Sequence, residues 1–318
     1  MKVSVCMITY RHASYIGQAI EGVLSQETSH EIELIIADDT SPDATESIVN
    51  QFIVNNTSQI HIKYYRHATN VGAMENLLFA IKKCTGDFIA MCEGDDYWMD
   101  NSKIEQQVNF LAQNPQYSLS YTHSLFLNNS SGTLSDHPLR KPLTSKKANA
   151  RQMLDTKFVE FATSVYPSQV LFNIIDCIKH ELKNAIIADT RIFLEATLLG
   201  DFHYIDQPMS VYRILEDSAS HSNKAEKFIK IKKDSLLCRE QFVERNKLPE
   251  SWLQLYLKGG HYTSLINRAY FVKNNRDRVE LMKEIKLGSL KNLFQLKSRV
   301  ILKYVLIITG IHNLIKKK

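Results

Sequence analysis

Residues 86–98, Gly-Asp-Phe-Ile-Ala-Met-Cys-Glu-Gly-Asp-Asp-Tyr-Trp, run from a short apolar stretch straight into three carboxylates, Glu93, Asp95 and Asp96. Phe88 to Cys92 is apolar enough to lie inside a parallel sheet, and the carboxyl ends of such strands border the crevice where open α/β sheets bind ligands. Hard carboxylates gathered there suit Mg²⁺ or Mn²⁺, which take oxygen ligands and share them between a few carboxylates and substrate phosphates. The same triplet also reads as a polar turn that ends a strand and caps the next helix. Its surroundings decide between the two.

Outward from this stretch, the first 120 residues alternate two periods. Strands are predicted over Val3–Ile8, Ile32–Ala37, Ile60–Tyr65, Phe88–Cys92 and Ser118–Tyr121, with helices over Ser14–Gln26, Pro42–Asn55, Ala73–Lys83 and Ser102–Gln113. Ser41-Pro42 predicts the start of the second helix, with an N-cap hydroxyl and a proline at the first helical position. Alternating βα units imply an α/β fold, a mostly parallel sheet with flanking helices. Beyond Tyr121, Asn128-Asn-Ser-Ser-Gly132 signals a hairpin, and residues 135–150 read as a polar loop beside a site. The pattern then predicts a helix near Ala150–Phe161, a strand at Gln169–Phe172, a helix at Asp189–Leu199, a strand near Met209–Ile214 and helices from Lys224 onward. The expected organisation is a catalytic domain over residues 1–222 and a helical extension over 223–318.

Composition narrows the function classes. The chain is 44% hydrophobic and 23% charged, as a folded globular protein is. Its net charge of +5 is unevenly placed: eight basic and no acidic residues lie between Ile285 and Lys318, which leaves the first 284 residues at −3. The main body therefore lacks the basic surface that nucleic acid needs. Five cysteines without a Cys-x-x-Cys pair suit small buried thiols in a reducing compartment. A strand-like run from Val3 with no signal-peptide pattern places the expectation in the cytoplasm.

Further features collect at the ends of predicted strands. The first ends in Thr9-Tyr10-Arg11, a hydroxyl, an aromatic face and a cation; the second ends in Asp38-Asp39, carboxylates able to accept from the N–H of a nucleotide base. The third is followed by Asn70-Val-Gly72, a turn that lets backbone approach a ligand closely. With these in place, the chain resembles the family 2 glycosyltransferases of the GT-A fold. The resemblance rests on Val3 to Tyr10, Asp38 to Thr45, Asn70-Val-Gly72 and Gly86 to Trp98, and continues more weakly through Asp189 and Val211-Tyr-Arg213 to His221.

That resemblance implies a nucleotide-diphosphate sugar donor, a glycan or lipid-linked saccharide acceptor, and Mn²⁺ or Mg²⁺. It implies that Thr9, Tyr10 and Asp39 hold the base, with Asp38 and Arg11 beside them, and that Asn70 and Gly72 border the nucleotide. Glu93-Gly94-Asp95 stands where the family places Asp-x-Asp, so Asp95 binds the metal and Glu93 lies near the ribose. Asp189 matches the catalytic base of an inverting transfer. Arg213 and His221 match a segment that closes over the diphosphate, His221 toward the metal. Glu93 departs from the usual first Asp, Arg11 stands where Asn is common, and Ile8 where Pro is.

Each residue also has a plainer reading. Asp38-Asp39 begins an Asx-type turn, Asp189 is a helix N-cap, His221 is a solvated loop histidine, and Tyr97 and Trp98 are packing residues. A nucleotidyltransferase would carry a glycine-rich phosphate loop after the first strand, where this chain has Tyr10-Arg-His-Ala-Ser-Tyr15; a non-catalytic glycan-binding module would not need Asp39, Asp95 and Asp189 together. Tyr304–Ile315 is apolar and flanked by lysines, but too short to span a bilayer. It is read as meeting a membrane surface, the body of the protein or a second subunit of a homo-oligomer.

Overall fold

A computed structural model describes residues 1–136, 150–155, 159–215, 225–272, 274–284 and 298–308. The chain divides into two compact units, Met1–Ala150 with Phe158–Leu215, and Arg151–Lys157 with Glu216–Lys318. The expected boundary at 222/223 and the loop at 137–149 lie outside the described residues.

The first unit is built on β1 (Lys2–Thr9), β2 (Glu31–Asp38), β3 (His61–Arg66) and β4 (Phe88–Met91), which pair in parallel in the order β3-β2-β1-β4. The crossovers are α1 (Ile16–Leu24), α2 (Thr45–Asn55) and α3 (Ala73–Lys83). In α1, Ile16, Ala19, Ile20 and Val23 recur at helical spacing and bury one face against Val5, Met7 and Ala90 of the sheet. Gly22 allows that helix to lie directly on the backbone of β5 (Tyr97–Trp98), because a Cβ there would fall 2.6 Å from the Trp98 carbonyl oxygen.

The chain continues through α4 (Lys103–Gln113), β6 (Tyr117–Asn128), the hairpin partner β7 (Thr133–Ser135), α5 (Ala150–Asp155, which from Arg151 on belongs to the second unit), a 3₁₀ turn at Phe161–Thr163, β8 (Val165–Pro167), α6 (Ser168–Leu182), α7 (Asp189–Leu199) and β9 (Asp201–Ile214). The full order of the sheet is β3-β2-β1-β4-β8-β6-β9-β5, with β7 on β6. β8 runs antiparallel to β4 and β6, and β5 antiparallel to β9, whereas the long β6–β9 ladder is parallel. Most paired residues thus lie in parallel ladders, as expected of this α/β chain.

Two local expectations are corrected. Gln169–Phe172 is the first turn of α6 rather than a strand, because Leu171, Ile174, Ile178 and Leu182 keep helical spacing over 15 residues and bury that face. Ser41 does not cap α2. Its amide donates to Asp38 Oδ1 (2.8 Å); the N-cap position is Ala44, and the carboxylate of Asp43 before it accepts from Thr45 N (3.2 Å) and Thr45 Oγ1 (2.6 Å) at the first turn. Four of the five cysteines are buried free thiols, and Cys177 is exposed.

The second unit comprises α8 (Ala225–Arg245), α9 (Ser251–Tyr256), a π-helical turn at Leu257–His261, α10 (Tyr262–Phe271), α11 (Asn275–Lys283) and α12 (Ser298–Ile308). Leu265, Ile266, Ala269, Leu281, Val300 and Ile307 form its core. The described part of the apolar tail run, residues 304–308, therefore belongs to a helix packed within its own unit, where Lys303 Nζ also donates to Asn267 Oδ1 (2.8 Å). No helix among the described residues is long and apolar enough to cross a membrane.

One buried carboxylate ties the lower ends of the parallel block. Glu33 on β2 is 1% exposed and accepts from Ser4 Oγ (2.5 Å), Lys63 Nζ (2.7 Å), and Thr85 N and Oγ1 (both 2.8 Å). Burial pushes its carboxyl upward, but these donors outweigh burial and hold it at about 2. A depressed carboxyl stabilises the fold above its unfolded value, near 4.5, and loses that contribution as pH falls through 2. Urea unfolding should show wild type more stable than Glu33→Gln by up to about 3 kcal/mol at pH 6, with the gap closing toward pH 2.

Candidate active site

The candidate site begins with three backbone amides that no strand or helix satisfies. After β1 the chain turns through Arg11, which adopts a left-handed φ of 61°. The N–H groups of Arg11, His12 and Ala13 then donate in succession to Ser41 Oγ (3.0 Å), Thr45 Oγ1 (3.1 Å) and Asp43 Oδ2 (3.1 Å). The segment Asp38-Asp-Thr-Ser-Pro-Asp-Ala-Thr45 is thus a comb of side-chain acceptors for the loop after β1. Thr40, at φ 62°, is the second left-handed non-glycine residue at these strand ends, and its hydroxyl donates to His67 O (2.9 Å).

Asp39 joins a third strand end. Its amide donates to Thr9 O (3.0 Å), its Oδ1 and Oδ2 accept from Val71 N (2.6 Å) and Gly72 N (2.9 Å), and Asn70 Nδ2 donates to its carbonyl (3.0 Å). Gly72 sits at φ 87°, where a side chain would be strained. Thr9, Tyr10, Arg11, Asp39, Asn70 and Gly72 are therefore brought together. Tyr10 is exposed, with the Arg11 guanidinium 5.9 Å from its ring centroid. Asp38 is fully buried, and its oxygens accept from Ser41 N and from Tyr64 Oη (2.7 Å). It braces the turn after β2 from within.

The acidic turn lies beside the same strand end, because Gly94 N donates to Ile8 O (3.0 Å). Asp96 is buried; burial, then the carboxylates of Asp95 and Glu93, push its carboxyl well above the usual range. Its Oδ1 accepts from Arg213 N (2.9 Å), and its buried Oδ2 has no hydrogen-bond partner among the described residues. The Arg213 guanidinium donates to Gln18 Oε1 and lies between the rings of Tyr15 (5.2 Å) and Tyr97 (5.0 Å). Beneath the turn, Lys103 is fully buried, donates to Gln107 Oε1 (2.6 Å) and Thr163 O (3.3 Å), and stands 4.5 Å from the Trp98 ring. Burial lowers this amine to about 7. Trp98 is a packing residue whose Nε1 donates to Ala162 O (2.9 Å).

Glu93 and Asp95 bring carboxylate oxygens to the turn on either side of Gly94, a donor type that suits a hard divalent cation. Among the described residues no three His, Cys, Asp or Glu side chains converge as a ready cage. A site with few protein ligands fits an ion that takes its remaining ligands from phosphate and water. Asp189, at the start of α7, accepts from Thr190 N (2.5 Å), and its charge acts on the buried Tyr166 phenol of β8, the strand beside β4. Burial, chiefly, pushes that phenol upward. His221 lies outside the described residues.

The sequence reading missed His12, Tyr15 and Gln18. His12 Nε2 stands 3.9 Å from Asp95 Oδ2. The signal was available in its position, three residues after Thr9 in the turn that leaves β1.

Residues 4–171, more than half of the chain, match the family model described as glycosyl transferase family 2. The chain belongs to glycosyl transferase family 2. An uncharacterized protein of Mycobacterium tuberculosis is 27% identical over 212 residues, covering 66% of this chain and 58% of that protein. An Escherichia coli protein named UDP-Glc:alpha-D-GlcNAc-diphosphoundecaprenol beta-1,3-glucosyltransferase WfgD is 33% identical over 129 residues, 41% of this chain and 48% of that one. The chain spans about half the length of these relatives. Among solved structures, S. aureus TarS 1-349 in complex with UDP-GlcNAc superposes with a TM-score of 0.63 at 16% identity, covering 94% of this chain and 83% of that one. The mannosyltransferase PcManGT from Pyrobaculum calidifontis, in complex with GDP-Man and Mn²⁺, gives 0.58 at 12% identity over 96% and 86%. At such identities the likeness shows the fold, which is GT-A.

The comb makes a direct prediction. Thr45→Val strands the His12 amide without an acceptor, at a cost of about 1–3 kcal/mol. Hydrogen exchange at His12 should accelerate at least tenfold, while exchange within β2 stays unchanged.

Proposed function

We propose that the chain transfers a hexosyl group from a nucleotide-diphosphate sugar, UDP-linked, to a hydroxyl of a glycan or lipid-linked saccharide, with inversion at the anomeric carbon. The observation that carries this reading is the joining of strand ends into one site, with Thr9, Tyr10, Asp39 and the Asn70–Gly72 turn next to a carboxylate corner at Glu93–Asp96. The UDP complex of TarS and the UDP-Glc named for WfgD support a UDP donor, and the diphosphoundecaprenol in that name supports a lipid-linked acceptor. The GDP-Man and Mn²⁺ of PcManGT support the metal.

In this reading Asp39 and the Asn70–Gly72 turn receive the base, Tyr10 and Arg11 flank it, Glu93 reaches the ribose and Asp95 holds the cation. Arg213, fixed between two aromatic rings, faces the diphosphate. When bound, Mn²⁺ or Mg²⁺ supplies positive charge to the departing diphosphate. Asp189 accepts the proton of the acceptor hydroxyl as that oxygen bonds to the anomeric carbon from the face opposite the departing diphosphate. The carbon–oxygen bond to the diphosphate breaks, and its electron pair leaves with the nucleotide. The lysine-rich segment after Ile285, with Leu302 exposed on α12, suits the surface of an anionic membrane that carries such an acceptor.

Asp95→Asn should keep the fold and lose metal-dependent transfer by at least about 100-fold; undiminished turnover would sink the metal assignment. Asp189→Asn should bind the donor nucleotide with wild-type affinity and lose transfer by about 100- to 10,000-fold. Lost donor binding would show instead that Asp189 belongs to the nucleotide pocket.

A further inference from the structure

The imidazole of His12 has no role in the mechanism above, yet it faces the carboxylate of Asp95. Its backbone is fixed by the hydrogen bond to Thr45 Oγ1, and its ring presents Nε2 to Asp95 Oδ2 across 3.9 Å. That gap is too long for a hydrogen bond, for which 2.7–3.2 Å is usual. It does match a shared ion. Two donors each about 2.1 Å from one metal stand between about 3.0 Å and about 4.2 Å apart, according to whether they are adjacent or opposite.

The other side of the ring is arranged for the same task. His12 Nδ1 is buried without a partner, and so is Thr9 Oγ1, which is 2% exposed. Both lie against Gly94: a Cβ at that position would fall 3.0 Å from Nδ1 and 2.9 Å from the threonine oxygen. Any side chain at 94 would drive these two groups apart. Metal-bound histidines ordinarily anchor the ring nitrogen that does not bind the ion on a nearby acceptor; the Thr9 hydroxyl borders the same space over Gly94 as Nδ1, without a hydrogen bond between them, and is the acceptor a small turn of the ring would reach.

We infer that His12 Nε2 is a second protein ligand of the divalent cation held by Asp95, with Thr9 as the residue that orients the ring. This rests on the metal reading proposed above and extends it. A nitrogen ligand favours Mn²⁺ over Mg²⁺, because imidazole suits transition ions whereas Mg²⁺ keeps to oxygen. Gly94 is then required as the residue that leaves room for His12 and Thr9 to face each other.

The test is pulsed electron paramagnetic resonance of Mn²⁺ bound to the full chain in the presence of UDP. Wild type should show coupling to a ¹⁴N nucleus, and ¹⁵N-histidine labelling should change its frequency, a check that needs no variant. His12→Ala should lose the nitrogen coupling and weaken Mn²⁺ binding at least tenfold while weakening Mg²⁺ binding less; His221→Ala should keep the coupling. Mn²⁺ bound by wild type without nitrogen coupling, or coupling that survives in His12→Ala, would overturn the role of His12 and leave the Asp95 site standing. Failure of wild type to bind Mn²⁺ with UDP at all would overturn the metal reading itself.

Discussion

Three consecutive amides with no backbone partner decide how this site is built. Arg11, His12 and Ala13 leave β1 in a turn that neither a strand nor a helix can satisfy, and each donor left unmet would cost about 1–3 kcal/mol. Ser41, Thr45 and Asp43 meet them one by one. The loop after β2 is therefore not a passive connection into α2. It sets the left-handed turn at Arg11, the exposed ring of Tyr10 and the direction of His12. Asp39, inside the same segment, extends the effect to the Asn70–Gly72 turn. One short stretch so fixes three strand ends relative to each other.

Charge follows from that geometry. The fourth strand end brings Glu93, Asp95 and Asp96 against β1, and the guanidinium of Arg213 is held by Gln18 and by two tyrosine faces. Arg213 is thereby held by an amide oxygen and two aromatic faces, a setting suited to receiving phosphate charge. On the other side of the turn, Lys103 braces Trp98, Gln107 and Thr163 from a fully buried position. Burial lowers its amine to about 7, so near neutral pH it carries only part of a full positive charge.

Much of this was legible before any coordinates. The apolar runs of β1, β2 and β4 are buried on both faces, so they read as unbroken hydrophobic stretches; α3 matches its predicted limits, Ala73–Lys83, because Gly72 marks its start and two lysines its end. Gln169–Phe172 misled because four apolar residues fit a strand as well as a helix, and only the longer spacing through Leu182 separates them. Ser41-Pro42 carried a sound helix-start signature, but the hydroxyl was needed by the loop after β1, a partner 30 residues away that no local pattern reveals. His12 was passed over for the same reason. Its meaning depends on Asp95, 83 positions later, and on the absence of a side chain at Gly94.

The central claim is that the ends of β1, β2 and β4 form one nucleotide-diphosphate and cation site. Calorimetric titration of the full chain with UDP, with and without Mn²⁺, measures it most directly. One UDP should bind per chain, at least tenfold more tightly with Mn²⁺ than with chelator, as expected when diphosphate and carboxylates share an ion. UDP binding of equal strength with and without Mn²⁺, or no binding of UDP or any other nucleoside diphosphate, would contradict it.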